Sequence, residues 1–153
     1  MRNVQPLFAD LDTGGFTVGH NGNLTNTLLL REKLVSSGAI FQSTSDTEVI
    51  LHLVAKSKKL KFIDKFIDAL SYLEGAYSLV ALTNKKLIGA RDPLGIRPLV
   101  LGKLDKSYIL ASETCALDII GAEFIREVEN GEVIVITDDG IESHFPFPKQ
   151  SPR

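Results

Sequence analysis

Cysteine is nearly missing from this sequence: the single residue, Cys115, excludes an internal disulfide and a zinc site built on cysteine pairs. Histidine is almost as scarce. His20, His52 and His144 lie far apart with no i, i+4 pair, so no metal site is expected. No apolar run is long enough for a bilayer span before Lys, Asp or Glu breaks it, and the opening Met1-Arg2-Asn3-Val4-Gln5-Pro6 lacks the apolar core of a signal peptide. The cytoplasm is the expected compartment. A net charge of −2 gives no reason to propose nucleic acid or an anionic membrane as partner. There is also no internal repeat, no low-complexity linker and no phosphate-binding glycine motif.

What is present is an ordinary globular composition, 44% apolar and 24% charged, in a length that suits one domain. Residues 1–12 read as irregular, and the abrupt start suggests missing preceding sequence. Phe16, Val18 and His20 alternate with Thr17 and Gly19 as a strand does; Asn21-Gly22 then breaks the alternation before a helical run. In that run Leu28, Leu29, Leu30, Leu34 and Val35 are expected on one side. Ser45 and Glu48 stand at capping-box spacing before Val49, Ile50, Leu53 and Val54, and Phe62, Ile63, Phe66, Ile67, Leu70 and Leu73 mark a third helix.

From Gly75 the period changes to two. Strands are expected over 76–82, 86–90, 96–101, 108–111, 123–128, 133–137 and 141–145, interrupted by a short helix over 113–120 that Ser112 is placed to cap. Helices followed by hairpin-linked strands indicate an α+β fold, with helices packed on largely antiparallel sheets. The domain should occupy residues 1–145, and the proline-rich residues 146–153 should form an exit tail.

Asn21 and Gly22 bring a side-chain amide and a bare backbone N–H to one place, where both could face one oxygen as an oxyanion hole does. The dipeptide alone reads first as a common two-residue hairpin turn. The longer string His20-Asn21-Gly22-Asn23-Leu24-Thr25-Asn26 resembles the glutaminase domain of the amidophosphoribosyltransferase family, as do Thr44-Ser45-Asp46-Thr47-Glu48-Val49-Ile50 and Ser112-Glu113-Thr114-Cys115-Ala116-Leu117-Asp118. Arg91-Asp92-Pro93-Leu94-Gly95-Ile96-Arg97-Pro98-Leu99 is similar to a recurrent element of class II glutamine amidotransferases. By itself its Asp-Pro-x-Gly order fits a type I turn. The likeness runs from Asn3 to Val133.

The resemblance implies an N-terminal-nucleophile (Ntn) hydrolase with an αββα sandwich, present here in part and without its first strand. In that family a cysteine at the mature N-terminus attacks the glutamine side-chain amide. The released ammonia reaches a phosphoribosyltransferase domain, where it converts phosphoribosyl pyrophosphate to phosphoribosylamine, the first step of purine synthesis. Asn21 and Gly22 would bind the oxyanion and Asp46 the α-ammonium of glutamine. His20 would shape the pocket, and Arg97 is a weaker candidate for a contact near it. Cys115 reads as a buried small hydrophobe rather than a nucleophile.

No cofactor is expected within the chain. Mg2+ would belong to the transferase domain, an iron–sulfur cluster only to one branch of the family, and homo-oligomerisation is expected. The departures are that Met1-Arg2 stands where the cysteine-led segment should be and that nothing after Arg153 resembles the transferase domain. The chain therefore reads as a fragment truncated at both ends and inactive in isolation. The alternative is a non-catalytic regulatory or binding module on the same fold.

Overall fold

The computed structural model describes residues 3–148. Along the chain run β1 (Leu7–Leu11), β2 (Gly14–Leu24), α1 (Thr27–Ser36), α2 (Asp46–Lys56), α3 (Phe62–Leu70), β3 (Gly75–Thr83), β4 (Leu87–Arg91), β5 (Val100–Leu104), β6 (Ser107–Ala111), α4 (Thr114–Ile120), β7 (Glu123–Glu127), β8 (Val133–Thr137) and β9 (Gly140–His144). All pairings are antiparallel. They form a six-stranded sheet, β1-β2-β3-β4-β8-β9, and a three-stranded sheet, β6-β5-β7.

Alternation along the strands sets the layers. Phe16 and Val18 of β2, Tyr77, Leu79 and Ala81 of β3, Ile88 and Ala90 of β4 and Val133 and Val135 of β8 join one core with α1, α2 and α3. Their neighbours Val80, Leu87, Ile134 and Ile136 point the other way and meet Leu99 and Leu101 beside β5. On the far side of the small sheet, Val100 packs with Leu117 of α4. The order is helices, large sheet, small sheet, helix: an α+β molecule with αββα layering. Among the described residues no helix is long and apolar enough to cross a membrane.

Several local expectations change. Leu7–Leu11 is not irregular; it pairs with residues 14–18 as β1, because a hairpin partner is available across Asp12-Thr13. Asn21-Gly22 does not end its strand, since residues 21–24 pair with residues 75–78 of β3. Cross-strand pairing overrides the local turn preference. In α1 only Leu30 and Leu34 are buried, while Leu28, Leu29 and Val35 are exposed: three successive leucines at 100° intervals cannot share one narrow face. Ser45 caps α2 by accepting from Thr47 N. Glu48, however, accepts from Gln42 N, Ser43 N and the Ser43 hydroxyl instead of closing a capping box. Strand β5 starts at Val100, later than expected, because residues 94–97 are held elsewhere. Of the tail, Phe147 packs against the main core, and residues 149–153 lie outside the described region.

The two sheets are bolted together by Glu132, which is 1% exposed and immediately precedes β8. Its carboxylate accepts two hydrogen bonds from Arg126 of β7 at 2.7 and 2.8 Å, one from Ser143 of β9 at 2.6 Å and one from Glu129 N at 2.7 Å. Burial pushes the Glu132 carboxyl up, but these donors outweigh it and hold it below its ordinary value. A carboxyl depressed in the folded state stabilises above the unfolded pKa and loses that contribution as pH falls through the folded one. Arg126→Ala should therefore cost about 1–2 kcal/mol at neutral pH: it removes two charge-assisted donors from a buried carboxylate, less than a fully buried pair would lose because the Arg126 side chain is partly solvated and Ser143 and Glu129 N–H still donate. Urea melts should show the gap to wild type narrowing on acidification through the carboxylate range; a gap independent of pH would contradict this account.

Candidate functional site

The site forms where β2 outruns β1. Val18 is the last β2 residue paired with β1, so residues 19–24 have β3 on one side and, among the described residues, no strand on the other. Tyr77 uses both its backbone groups on Asp92: its N–H donates to Asp92 Oδ2 and its C=O accepts from Asp92 N. Gly22, opposite Tyr77, is thus at a non-hydrogen-bonded position, and its N–H turns toward the open edge. His20 obeys the same phase, with its N–H donating outward to Gln5 Oε1. Gly22 has φ +145°, and a Cβ there would lie 2.2 Å from Ala76 O, so only glycine fits.

Asn21 projects from the opposite face to Phe16, Val18 and His20, on the side of the small sheet. There its Oδ1 accepts from Arg97 Nη2 at 2.7 Å and its Nδ2 donates to Ser112 Oγ at 3.1 Å. Arg97 is delivered by a tightly held loop. The fully buried Asp92 accepts from Leu94 N, Ile96 N and Arg97 N at 3.0–3.1 Å, and the Asp92-Pro93-Leu94-Gly95 turn closes with Gly95 N donating to Asp92 O at 2.9 Å. Arg91 braces the same loop from outside, donating to Gly95 O, Arg97 O and Val128 O.

On the other face, Asp46 opens α2 just after the Ser45 cap. The loop leading to it is pinned by Glu48 and by Asn3, whose amide exchanges hydrogen bonds with the Thr44 hydroxyl and backbone N–H. His20 senses both faces: burial lowers its pKa, the Asp46 charge raises it and the Arg97 charge lowers it, with a net shift below the ordinary value. The imidazole is therefore neutral near pH 7. Among the described residues, buried His20 Nε2, Thr47 Oγ1, Tyr77 Oη and Arg97 Nε have no hydrogen-bond partner. Three of the four lie on or beside the candidate site residues, where a bound ligand could supply partners.

Residues 1–118 match a family described as a glutamine amidotransferase domain. The chain belongs to this family. It is 59% identical over 158 residues to an amidophosphoribosyltransferase of Rhizobium etli, covering 100% of this chain and 32% of that protein. It is 49% identical over 154 residues to amidophosphoribosyltransferase 1, chloroplastic, of Arabidopsis thaliana, covering 100% of this chain and 27% of that one. The solved structure of the Bacillus subtilis glutamine phosphoribosylpyrophosphate amidotransferase, a complex with ADP and GMP, superposes with a TM-score of 0.93 at 43% identity, over 95% of this chain and 32% of that chain. The chain thus spans about a third of the length of these relatives.

The structure brings Asn21 to Arg97, and it sets His20 within electrostatic reach of Asp46 and Arg97. Sequence reading missed Ser112 as a site residue: expected to cap α4, it accepts from Asn21 instead, and the N-cap residue Glu113 makes no side-chain cap bond. Cys115 is exposed rather than buried, because α4 turns Leu117 inward and leaves Cys115 outside.

Three outcomes follow from this geometry. In an NMR pH titration of the His20 ring, Asp46→Asn should lower the midpoint further and Arg97→Met should raise it; midpoints unmoved by both would place the three residues too far apart to interact. The same depression makes folded-state stability fall as pH drops through the ordinary histidine range. Gly22→Ala should lose about 1–3 kcal/mol from backbone strain alone, with the Ala76 clash adding to it, as read from its urea midpoint.

Proposed function

We propose that this chain is the glutamine-binding part of an amidophosphoribosyltransferase, in which glutamine is hydrolysed to supply ammonia for amination of phosphoribosyl pyrophosphate. The observation that carries the reading is the end of β2, where an oriented Asn21 amide adjoins a Gly22 N–H released from the ladder at an open sheet edge. Two such donors suit a developing negative charge on the amide oxygen of glutamine. Asp46 would hold the substrate ammonium from the first turn of α2, where the carboxylate also gains from the helix dipole. Neutral His20, lying between Asp46 and Arg97 electrostatically, shapes the pocket without adding a charge.

Attack on the amide needs a nucleophile that these residues do not supply. The 153-residue sequence contains one thiol, Cys115, exposed at the start of α4 with its Sγ toward Glu113. The chain by itself should therefore bind glutamine weakly and turn over neither glutamine nor phosphoribosyl pyrophosphate. Measurable glutamate production by the purified chain, abolished by Asn21→Ala, would refute this.

The positive test is a chimera in which this chain replaces the matching third of the 59%-identical relative, keeping that enzyme's own start and remainder. Ammonia-dependent and glutamine-dependent product formation are then measured separately. Asn21→Ala should lower the glutamine-dependent kcat by about 100-fold and spare the ammonia-dependent rate. Asp46→Ala should raise KM for glutamine by roughly tenfold or more, the loss of one ion pair worth about 1.4 kcal/mol. Equal loss of both activities would point to misfolding rather than to this assignment.

A further inference from the structure

An oxyanion hole that uses an asparagine side chain has a weakness that a backbone donor does not. The amide can rotate by half a turn, exchanging its NH2 for its carbonyl oxygen at nearly the same shape. In the wrong orientation Asn21 would present a lone pair to the developing negative charge and oppose the reaction it should assist. Nothing on β2 itself prevents the rotation. Asn21 is exposed, and its strand neighbours are two glycine-rich steps, Gly19-His20 and Gly22-Asn23.

Both restraints come from the small-sheet side. Arg97 carries donors only, so the atom 2.7 Å from its Nη2 must be the acceptor, Asn21 Oδ1. Ser112 Oγ, 3.1 Å from Nδ2, takes one of the two amide hydrogens. The second hydrogen is left for a ligand. We propose that Arg97 and Ser112 are positioning residues for the oxyanion hole, holding the Asn21 amide with its NH2 toward the substrate and its oxygen toward a fixed cation. This rests on the glutaminase reading above.

Arg97 does more than hold the oxygen. A cation at Oδ1 draws electron density from the amide and makes the remaining N–H a stronger donor, as charge-assisted chains of hydrogen bonds do. Its own placement leaves little freedom. The Arg97 N–H is held by Asp92 and its C=O by Arg91, so the side chain leaves a backbone gripped at both ends. Ser112 is similarly placed by being the residue between the end of β6 and the N-cap of α4. The amide of a residue on the large sheet is thus oriented by two residues carried on the connection to, and the far end of, the small sheet.

The Asn21 side-chain amide signals in a nitrogen–proton NMR spectrum of the full chain, assigned by their loss in Asn21→Ala, report the orientation directly. Wild type should show two well-separated protons, one exchanging several-fold more slowly with solvent than the other. Arg97→Met should collapse the separation and equalise exchange, Arg97→Lys should largely restore both, and Ser112→Ala should speed exchange of the slow proton alone. In the chimera, Arg97→Met should lower glutamine-dependent kcat by roughly tenfold while leaving KM within about twofold, with partial rescue by Arg97→Lys. An Asn21 amide pair indifferent to Arg97→Met, or a kcat unchanged despite a perturbed pair, overturns the proposal. A chimera inactive on glutamine with Arg97 intact and active on ammonia overturns the glutaminase reading instead; the amide signals then still report whether Arg97 and Ser112 orient Asn21.

Discussion

The placement of the candidate site depends on one buried side chain, Asp92. A carboxyl group without solvent must find donors for its oxygens, and here they come from the backbone N–H groups of Tyr77, Leu94, Ile96 and Arg97. Those four bonds fold residues 92–97 around the side chain and tie the resulting knot to β3. Asp92 O extends the tie by accepting from Gly95 N and Gly131 N, which fastens the turn preceding β8 to the same point. Arg91 then closes the outside. Arg97 therefore leaves a rigid base, which a long side chain needs if it is to hold an amide in one orientation rather than sample many.

The second constraint is a mismatch of strand lengths. β2 has eleven residues and β1 has five, so among the described residues more than half of one β2 edge has no strand beside it. Uncovered edges are usually a hazard, because free N–H and C=O groups invite another strand. Here the edge is short, the Gln5 side chain takes the N–H of His20, and Gly22 departs from ordinary strand geometry at φ +145°. What remains is a backbone donor facing outward beside an oriented side-chain amide. The layering places residues of both sheets around it: His20 and Asp46 on the helix side, Asn21, Arg97 and Ser112 on the small-sheet side. A substrate bridging the edge would meet both sets.

Much of the arrangement was legible in the residues. Period-two runs located β3, β6, β8 and β9 to within a residue or so, the 3.6 period located α2 and α3, and Ser45 capped α2 as its position suggested. Misreadings occurred where local preference met a distant partner. Asn21-Gly22 has the composition of a turn and lies in a strand because β3 pairs with it. Residues 96–99 read as the opening of a strand; Ile96 and Arg97 instead bind the Asp92 carboxyl, and β5 begins only at Val100. Ser112 has the position of a helix cap and accepts from a residue 91 positions earlier. The β3 partner of Asn21-Gly22 and the Asn21 partner of Ser112 are far off in the sequence, so no local pattern announces them; Asp92 is close to the groups it binds, but that its carboxyl is buried among them is decided by the fold.

The sequence by itself determined the α+β class, the helix and strand periods, the scarcity of metal-binding residues, and which short strings carry the family likeness, because these depend on side-chain type and spacing along one chain. Tertiary structure alone decided which way the Asn21 amide faces, that Gly22 N–H is released at an open edge, and that Arg97 and Ser112 share one side chain between them. Those are consequences of strand register and of closing a loop on a buried carboxyl group, and both are settled only when segments far apart in the chain compete for the same hydrogen bonds.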